Sequence, residues 1–195
     1  NLDMLAVGST AGNPQTAIRF GTGSGGFGEV TLSTLGTPAP GVSVATGDLN
    51  NDGILDLFIP RAGGFAMSVL GNGDGTFKAM QNTAISAGSS SSATLADINN
   101  DGILDALFTT TTGAGISYYG LGIGNGNFTS LSSIMDFTTA AYGASFWDVN
   151  GDGFLDLITA GTNGGQGAVS IRIGNGNGTF GAQTTYLMES TGTFN

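Results

Sequence analysis

The sequence predicts an all-β fold, a β-propeller built of four-stranded antiparallel blades, and three observations predict it. Two landmarks recur along the chain with a step of about 50 residues, the size of a propeller blade. Short runs of strand-favouring residues alternate with clusters of glycine, which supply the positive φ that hairpin turns require. No window holds an apolar period of 3.6 over ten residues, so helix content is expected near zero.

The first landmark is an aspartate segment. It reads Asp48-Leu-Asn-Asn-Asp-Gly-Ile-Leu-Asp56, then Asp97-Ile-Asn-Asn-Asp-Gly-Ile-Leu-Asp105, then Asp148-Val-Asn-Gly-Asp-Gly-Phe-Leu-Asp156. The second is a glycine hairpin ending on phenylalanine, with Phe27, Phe77, Phe128 and Phe180 closing its four copies. Four repeats follow, at approximately 1–41, 42–91, 92–142 and 143–195, in a single domain. The first begins inside its own motif, with Asn1-Leu2-Asp3 aligned on Ile54-Leu55-Asp56. The repeat step places a further Asp at about position 200.

Within a repeat the expected order is strand A, aspartate loop, strand B, turn, strand C, glycine hairpin, strand D. Strand A reads Val42 to Thr46, Ala93 to Ala96 and Ser145 to Trp147. Its small residues suit a crowded central axis, and Trp147 departs from that rule by plugging or widening the centre. Strand B reads Leu55 to Ile59, Leu104 to Phe108 and Leu155 to Thr159. Strand C reads Thr16 to Phe20, Ala66 to Leu70, Tyr119 to Ile123 and Val169 to Ile173, and a weaker strand D follows each Phe. The run Gly88 to Ser92 is expected to be a flexible loop. A solenoid of the same units is the rival architecture; blade length and the tight antiparallel turns favour the propeller.

Composition narrows the chemistry. The 195 residues contain no Cys and no His, which excludes disulfides, zinc sites, thiol nucleophiles and His-based triads. Four Lys+Arg against fourteen Asp+Glu give a formal charge of -10, so the chain has no electrostatic footprint for nucleic acid or an anionic membrane. No apolar run approaches a membrane span, and direct membrane insertion is not expected. The chain opens Asn-Leu-Asp without a signal peptide, which says little about location because a secreted protein loses its signal.

Twelve of the fourteen acids are aspartates, and nine of those lie in the three repeated segments. In each, side-chain oxygens occur at positions 1, 3 and 5. Glycine at 6 allows a sharp turn, a carbonyl at 7 turns inward, and Asp at 9 closes the shell. Such a cage of hard oxygens suits Ca²⁺, with 6–8 ligands, better than Mg²⁺, and it offers nothing to soft metals. The candidate ligands are Asp48, Asn50, Asp52, the Ile54 carbonyl and Asp56; Asp97, Asn99, Asp101, the Ile103 carbonyl and Asp105; and Asp148, Asn150, Asp152, the Phe154 carbonyl and Asp156. Three Ca²⁺ sites are expected. A solvated turn accounts for one such segment, but three complete copies at constant spacing favour metal. An EF-hand needs a bidentate Glu at position 12, where Ile59, Phe108 and Thr159 stand, and flanking helices, where strands are expected.

The aspartate segments and the Gly-Asn-Gly hairpins resemble the FG-GAP family, also described as VCBS repeats, found in the integrin α-chain propeller and in bacterial and fungal extracellular proteins. The resemblance covers nearly the whole chain. It implies a propeller with calcium held between strands A and B. The chain departs from the usual six to eight blades by holding material for about four, and its first repeat lacks positions 1, 3 and 5.

The expected function is a calcium-binding extracellular or cell-surface module for adhesion or structure, without catalysis. Its expected partners are copies of itself or further blades of a parent chain. The chain is not expected to be a self-contained monomer, since its first repeat lacks strand A. The alternative is a carbohydrate-binding propeller that stacks sugars on Tyr119, Trp147 or Tyr186; an accessory domain of a secreted enzyme ranks third. Tyr118, Tyr119, Trp147 and Tyr186 are read first as packing between blades, and Arg19 and Arg172 as structural. Asn127 and Asn177 begin N-glycosylation patterns on expected turns.

Overall fold

The computed structural model describes residues 3–10, 13–35, 43–61, 65–84, 90–111 and 115–188. Fifteen strands among them form four antiparallel sheets, each a meander whose sequence neighbours pair. Sheet 1 holds β1 (Met4–Thr10), β2 (Asn13–Gly21) and β3 (Phe27–Thr34). Sheet 2 holds β4 (Ala45–Gly47), β5 (Asp56–Arg61), β6 (Phe65–Val69) and β7 (Gln81–Ala84). Sheet 3 holds β8 (Ser90–Ala96), β9 (Asp105–Thr110), β10 (Ile116–Gly120) and β11 (Ser132–Met135). Sheet 4 holds β12 (Ala140–Trp147), β13 (Asp156–Asn163), β14 (Gln166–Gly174) and β15 (Phe180–Leu187). The all-β reading and the blade-like sheets are therefore observed.

Several boundaries differ from expectation. The B strands open at Asp56, Asp105 and Asp156 rather than one residue earlier, where pairing with Gly47, Ala96 and Trp147 begins. Strand β10 ends at Gly120 instead of continuing to Ile123, since Gly122 makes only an isolated bridge to Phe128. Phe77 likewise makes only a bridge, to Gly71, and β7 begins four residues later. Of the expected loop Gly88 to Ser92, the serines from Ser90 belong to β8, paired with Thr109 and Thr110; tertiary pairing overrides their loop preference. Gly88 and Ser89 lie outside the described residues, as does Val42.

Apolar side chains alternate along the strands, so sheets 2 and 3 each pack against a neighbouring sheet on both faces. Leu5 and Val7 of sheet 1 pack with Leu57, Ile59, Met67 and Val69 of sheet 2. Phe58 and Ala66, on the other face of sheet 2, pack with Ala106 and Phe108 of sheet 3. Leu107 and Ile98 of sheet 3 pack with Phe146 and Leu157 of sheet 4. Rings weld these layers. Phe128 meets Phe58 edge-on at 5.4 Å and Phe180 meets Tyr119 edge-on at 5.6 Å, arrangements that the ring quadrupole favours. Tyr118 stacks on Phe108 at 5.3 Å. Tyr118 and Tyr119 thus pack between sheets, whereas Trp147 and Tyr186 are exposed on sheet 4.

Backbone bonds repeat the same layer contacts. The Gly126 N–H donates to the Leu49 carbonyl at 3.2 Å, and one sheet further on the Gly178 N–H donates to the Ile98 carbonyl at 3.2 Å. The glycine hairpins of sheets 3 and 4 therefore sit on the aspartate loop of the preceding sheet.

Candidate metal centres

Each aspartate loop joins the first and second strands of its sheet, and its turn is dictated locally. Positions 4 and 6 lie in the left-handed region: Asn51 (φ 58) and Gly53 (φ 81), Asn100 (φ 60) and Gly102 (φ 82), Gly151 (φ 79) and Gly153 (φ 86). Asparagine and glycine are the residues that enter this region most readily.

The turn carries the side chains of positions 1, 3 and 5 onto its own backbone. The Asp52 N–H donates to Asp48 Oδ1 and to Asn50 Oδ1, both at 3.1 Å, and the Gly53 N–H donates to Asp48 Oδ2 at 2.7 Å. Asn50 Nδ2 donates to Asp52 Oδ2 at 2.9 Å, and the Ile54 N–H donates to Asp52 Oδ1 at 2.8 Å. The loop at Asp97, Asn99 and Asp101 repeats all five bonds within 0.1 Å. The loop at Asp148, Asn150 and Asp152 repeats the set and adds a bond from the Gly151 N–H to Asp148 Oδ1 at 2.7 Å. Positions 1, 3 and 5 are thus gathered at one turn in all three copies.

Position 9 is placed differently. Asp56, Asp105 and Asp156 are fully buried at the foot of the loop. Asp56 Oδ2 accepts from the Leu49 N–H at 2.9 Å, and its Oδ1 accepts from the Gly71 N–H at 2.8 Å. Asp105 holds Ile98 and Gly122 in the same way, and Asp156 holds Val149 and Gly174. Asp3, the equivalent residue of sheet 1, accepts from the Gly21 N–H at 2.8 Å. The position-9 carboxylate ties the aspartate loop to the glycine hairpin. Among the described residues no three acidic side chains are grouped so as to hold a metal by themselves, so a shell here also needs the amide and carbonyl oxygens.

Charge follows this geometry. Burial pushes the Asp56 and Asp105 carboxyls above the ordinary carboxylate range, against the pull of their two N–H donors; the other two acids of each loop push further in the same direction. At the rim the Asn50 amide, then the Ile54 N–H, hold Asp52 low, and the Gly153 N–H leads several donors that hold Asp148 low. In the first loop an ionised Asp52 at the rim stands above a buried Asp56 that is costly to ionise, an arrangement that a cation would relieve. The donors are all hard oxygens, and they fit Ca²⁺.

The sequence reading missed Asp136. It lies between β11 and β12, almost fully buried against sheet 4, where Arg172 Nε donates to its Oδ1 at 2.7 Å and Thr159 Oγ1 to its Oδ2 at 2.8 Å. Arg172 also donates to the Gly181 carbonyl, which makes it a structural residue, as expected. Arg19 makes the corresponding bond to the Gly28 carbonyl at 3.4 Å. A cleft of about 590 Å³ between sheets 1 and 2 is lined by Asp3, Phe20, Ile54 and Phe77, and by none of the tyrosines or the tryptophan named for sugar stacking.

Four consecutive antiparallel sheets, three of them headed by an aspartate loop, define a repeat protein of blade-like units. The chain belongs to the FG-GAP-like repeat family, which matches residues 1–59, 66–108 and 148–195, and each matched segment carries one of the three aspartate loops. No curated protein matches the chain. Among the described residues no helix is long and apolar enough to cross a membrane.

Proposed function

We propose that this chain is a calcium-binding structural or adhesion module that works outside the cell and performs no catalysis. The observation that carries the reading is the threefold recurrence of one loop geometry, with oxygens of positions 1, 3 and 5 gathered over a buried carboxylate. In the first loop Asp48, Asn50, Asp52 and the Ile54 carbonyl would hold the ion, with Asp56 behind them. The other ligand sets are Asp97, Asn99, Asp101, Ile103 and Asp105, and Asp148, Asn150, Asp152, Phe154 and Asp156. Bound calcium supplies positive charge that offsets repulsion within the loop and fixes the turn on which the next hairpin sits.

Extracellular modules bind calcium at about 10⁻⁴–10⁻³ M, which matches loops with two rim carboxylates and one amide rather than a bidentate cage. The four repeats would form one domain whose sheets are propeller blades, and its partners would be proteins carrying the same kind of sheet. The sugar-binding reading has less support, because Tyr119 is packed against Phe180 while Trp147 and Tyr186 stand on an open sheet face. Calorimetric melting in EDTA and then in millimolar CaCl₂ tests the proposal. A clear upward shift of the transition with calcium, and none with magnesium, is expected; identical transitions would refute it.

A further inference from the structure

The contacts between successive sheets have two halves, and sheets 1 and 4 expose one half each. On sheet 3, the half that meets sheet 4 includes Ala96, Ile98, Leu121 and Ile134. The same positions on sheet 4 are Trp147, Val149, Ile173 and Tyr186, which are 69%, 43%, 38% and 58% exposed. On sheets 2 and 3, the half that meets the preceding sheet includes Phe77 with Met80, and Phe128 with Leu131. The same positions on sheet 1 are Phe27 and Val30, 44% and 41% exposed.

The hairpins agree with this. A side chain at Gly75 would meet Phe20, one at Gly126 would meet Leu70, and one at Gly178 would meet Leu121, so each hairpin is seated on the sheet before it. Gly25 occupies the same place in the sheet 1 hairpin, also at positive φ, and nothing lies within 4 Å of it. Ile173 is the sheet 4 counterpart of Phe20, Leu70 and Leu121. One end has the knob and the other has the seat.

We propose that sheet 1 of one molecule packs on sheet 4 of a second copy. Gly25 of the first copy sits on Ile173 of the second, with its N–H directed to the Val149 carbonyl, as Gly126 and Gly178 are directed to Leu49 and Ile98. The contact continues an interface that the chain already makes between its own sheets. Because the two halves differ, the association is heterologous and propagates head to tail instead of stopping at a symmetric dimer. It rests on the reading of the chain as an assembling module but not on the presence of calcium.

Sedimentation velocity of the purified chain at physiological salt, over a hundredfold range of concentration, tests this. The mean sedimentation coefficient should climb with concentration, and emission of the single tryptophan, Trp147, should shift to the blue in parallel. Trp147→Glu blocks the sheet 4 end and Val30→Glu the sheet 1 end, both at exposed positions. Each variant should associate at least tenfold more weakly, whereas an equimolar mixture of the two should give a two-chain particle and nothing larger. Circular dichroism establishes that both remain folded. A wild-type chain that stays monomeric throughout overturns the proposal. So does a symmetric dimer indifferent to either substitution, or a tryptophan buried independently of concentration, which would mean closure of one chain on itself. Calcium titration of the same samples reads the metal sites separately, so either idea can fail alone.

Discussion

The Gly122 N–H donates to Asp105 Oδ1 at 2.7 Å, and this one bond joins the glycine hairpin of sheet 3 to the base of its aspartate loop. The bond recurs at Asp56 with Gly71 and at Asp156 with Gly174, both at 2.8 Å. It forces the hairpin backbone so close to the strand that a Cβ at Gly122 would collide with the Leu104 carbonyl oxygen. Position 9 of the loop therefore does a structural task whether or not a cation is present.

Gly122→Ala should lose about 1–3 kcal/mol, the usual cost of forcing extra atoms into a packed site. Urea denaturation would measure it. Gly102→Ala has open space around its Cβ, so its cost should come from its positive φ alone and be smaller.

Asp105→Asn keeps the shape of the side chain but replaces one acceptor with an NH₂ that faces a backbone N–H. A buried donor left unpaired costs about 1–3 kcal/mol, and this loss should be seen in EDTA as well as in calcium. Asp101→Asn, at the exposed rim, should leave the EDTA transition nearly unchanged and weaken calcium binding. If both variants behave alike in EDTA, the separate roles assigned to positions 5 and 9 are wrong.

Burial raises the Asp56 and Asp105 carboxyls in the folded chain. Their contribution to stability is then fully present below the unfolded value, about 4, and is lost as pH rises through the higher folded value. The calcium-free protein should therefore lose part of its stability as pH climbs from about 4, and calcium should restore it. The stabilisation by calcium, measured as a melting shift at a series of pH values, should grow over that same range.

Arg172 and Asp136 form a 2.7 Å ion pair whose side chains are 19% and 1% exposed. Arg172→Met would leave a buried carboxylate with the Thr159 hydroxyl as its remaining side-chain donor. The expected loss is about 3 kcal/mol, and Asp136→Asn in the same background should recover part of it. A double-mutant cycle by chemical denaturation measures the coupling.

Much of the fold was legible in the sequence because its signals are local. A ligand pattern at positions 1, 3, 5, 7 and 9 with glycine at 6 reads itself within one turn, and the glycine hairpins announce their own positive φ. The double role of Asp56 was not legible, since its partner Gly71 lies in another loop of the sheet. Asp136 was invisible for a stronger reason: it stands outside both recurring landmarks, and Arg172 is 36 residues away. The Ser90 to Ser92 run shows the same limit, because pairing with β9 rather than local preference makes it a strand.

Isothermal titration with CaCl₂ of protein stripped by EDTA tests the central claim most directly. Three equivalents should bind, falling to two in Asp52→Ala, with no comparable heat from MgCl₂. Absence of calcium binding at millimolar concentration, or a stoichiometry untouched by Asp52→Ala, would contradict it.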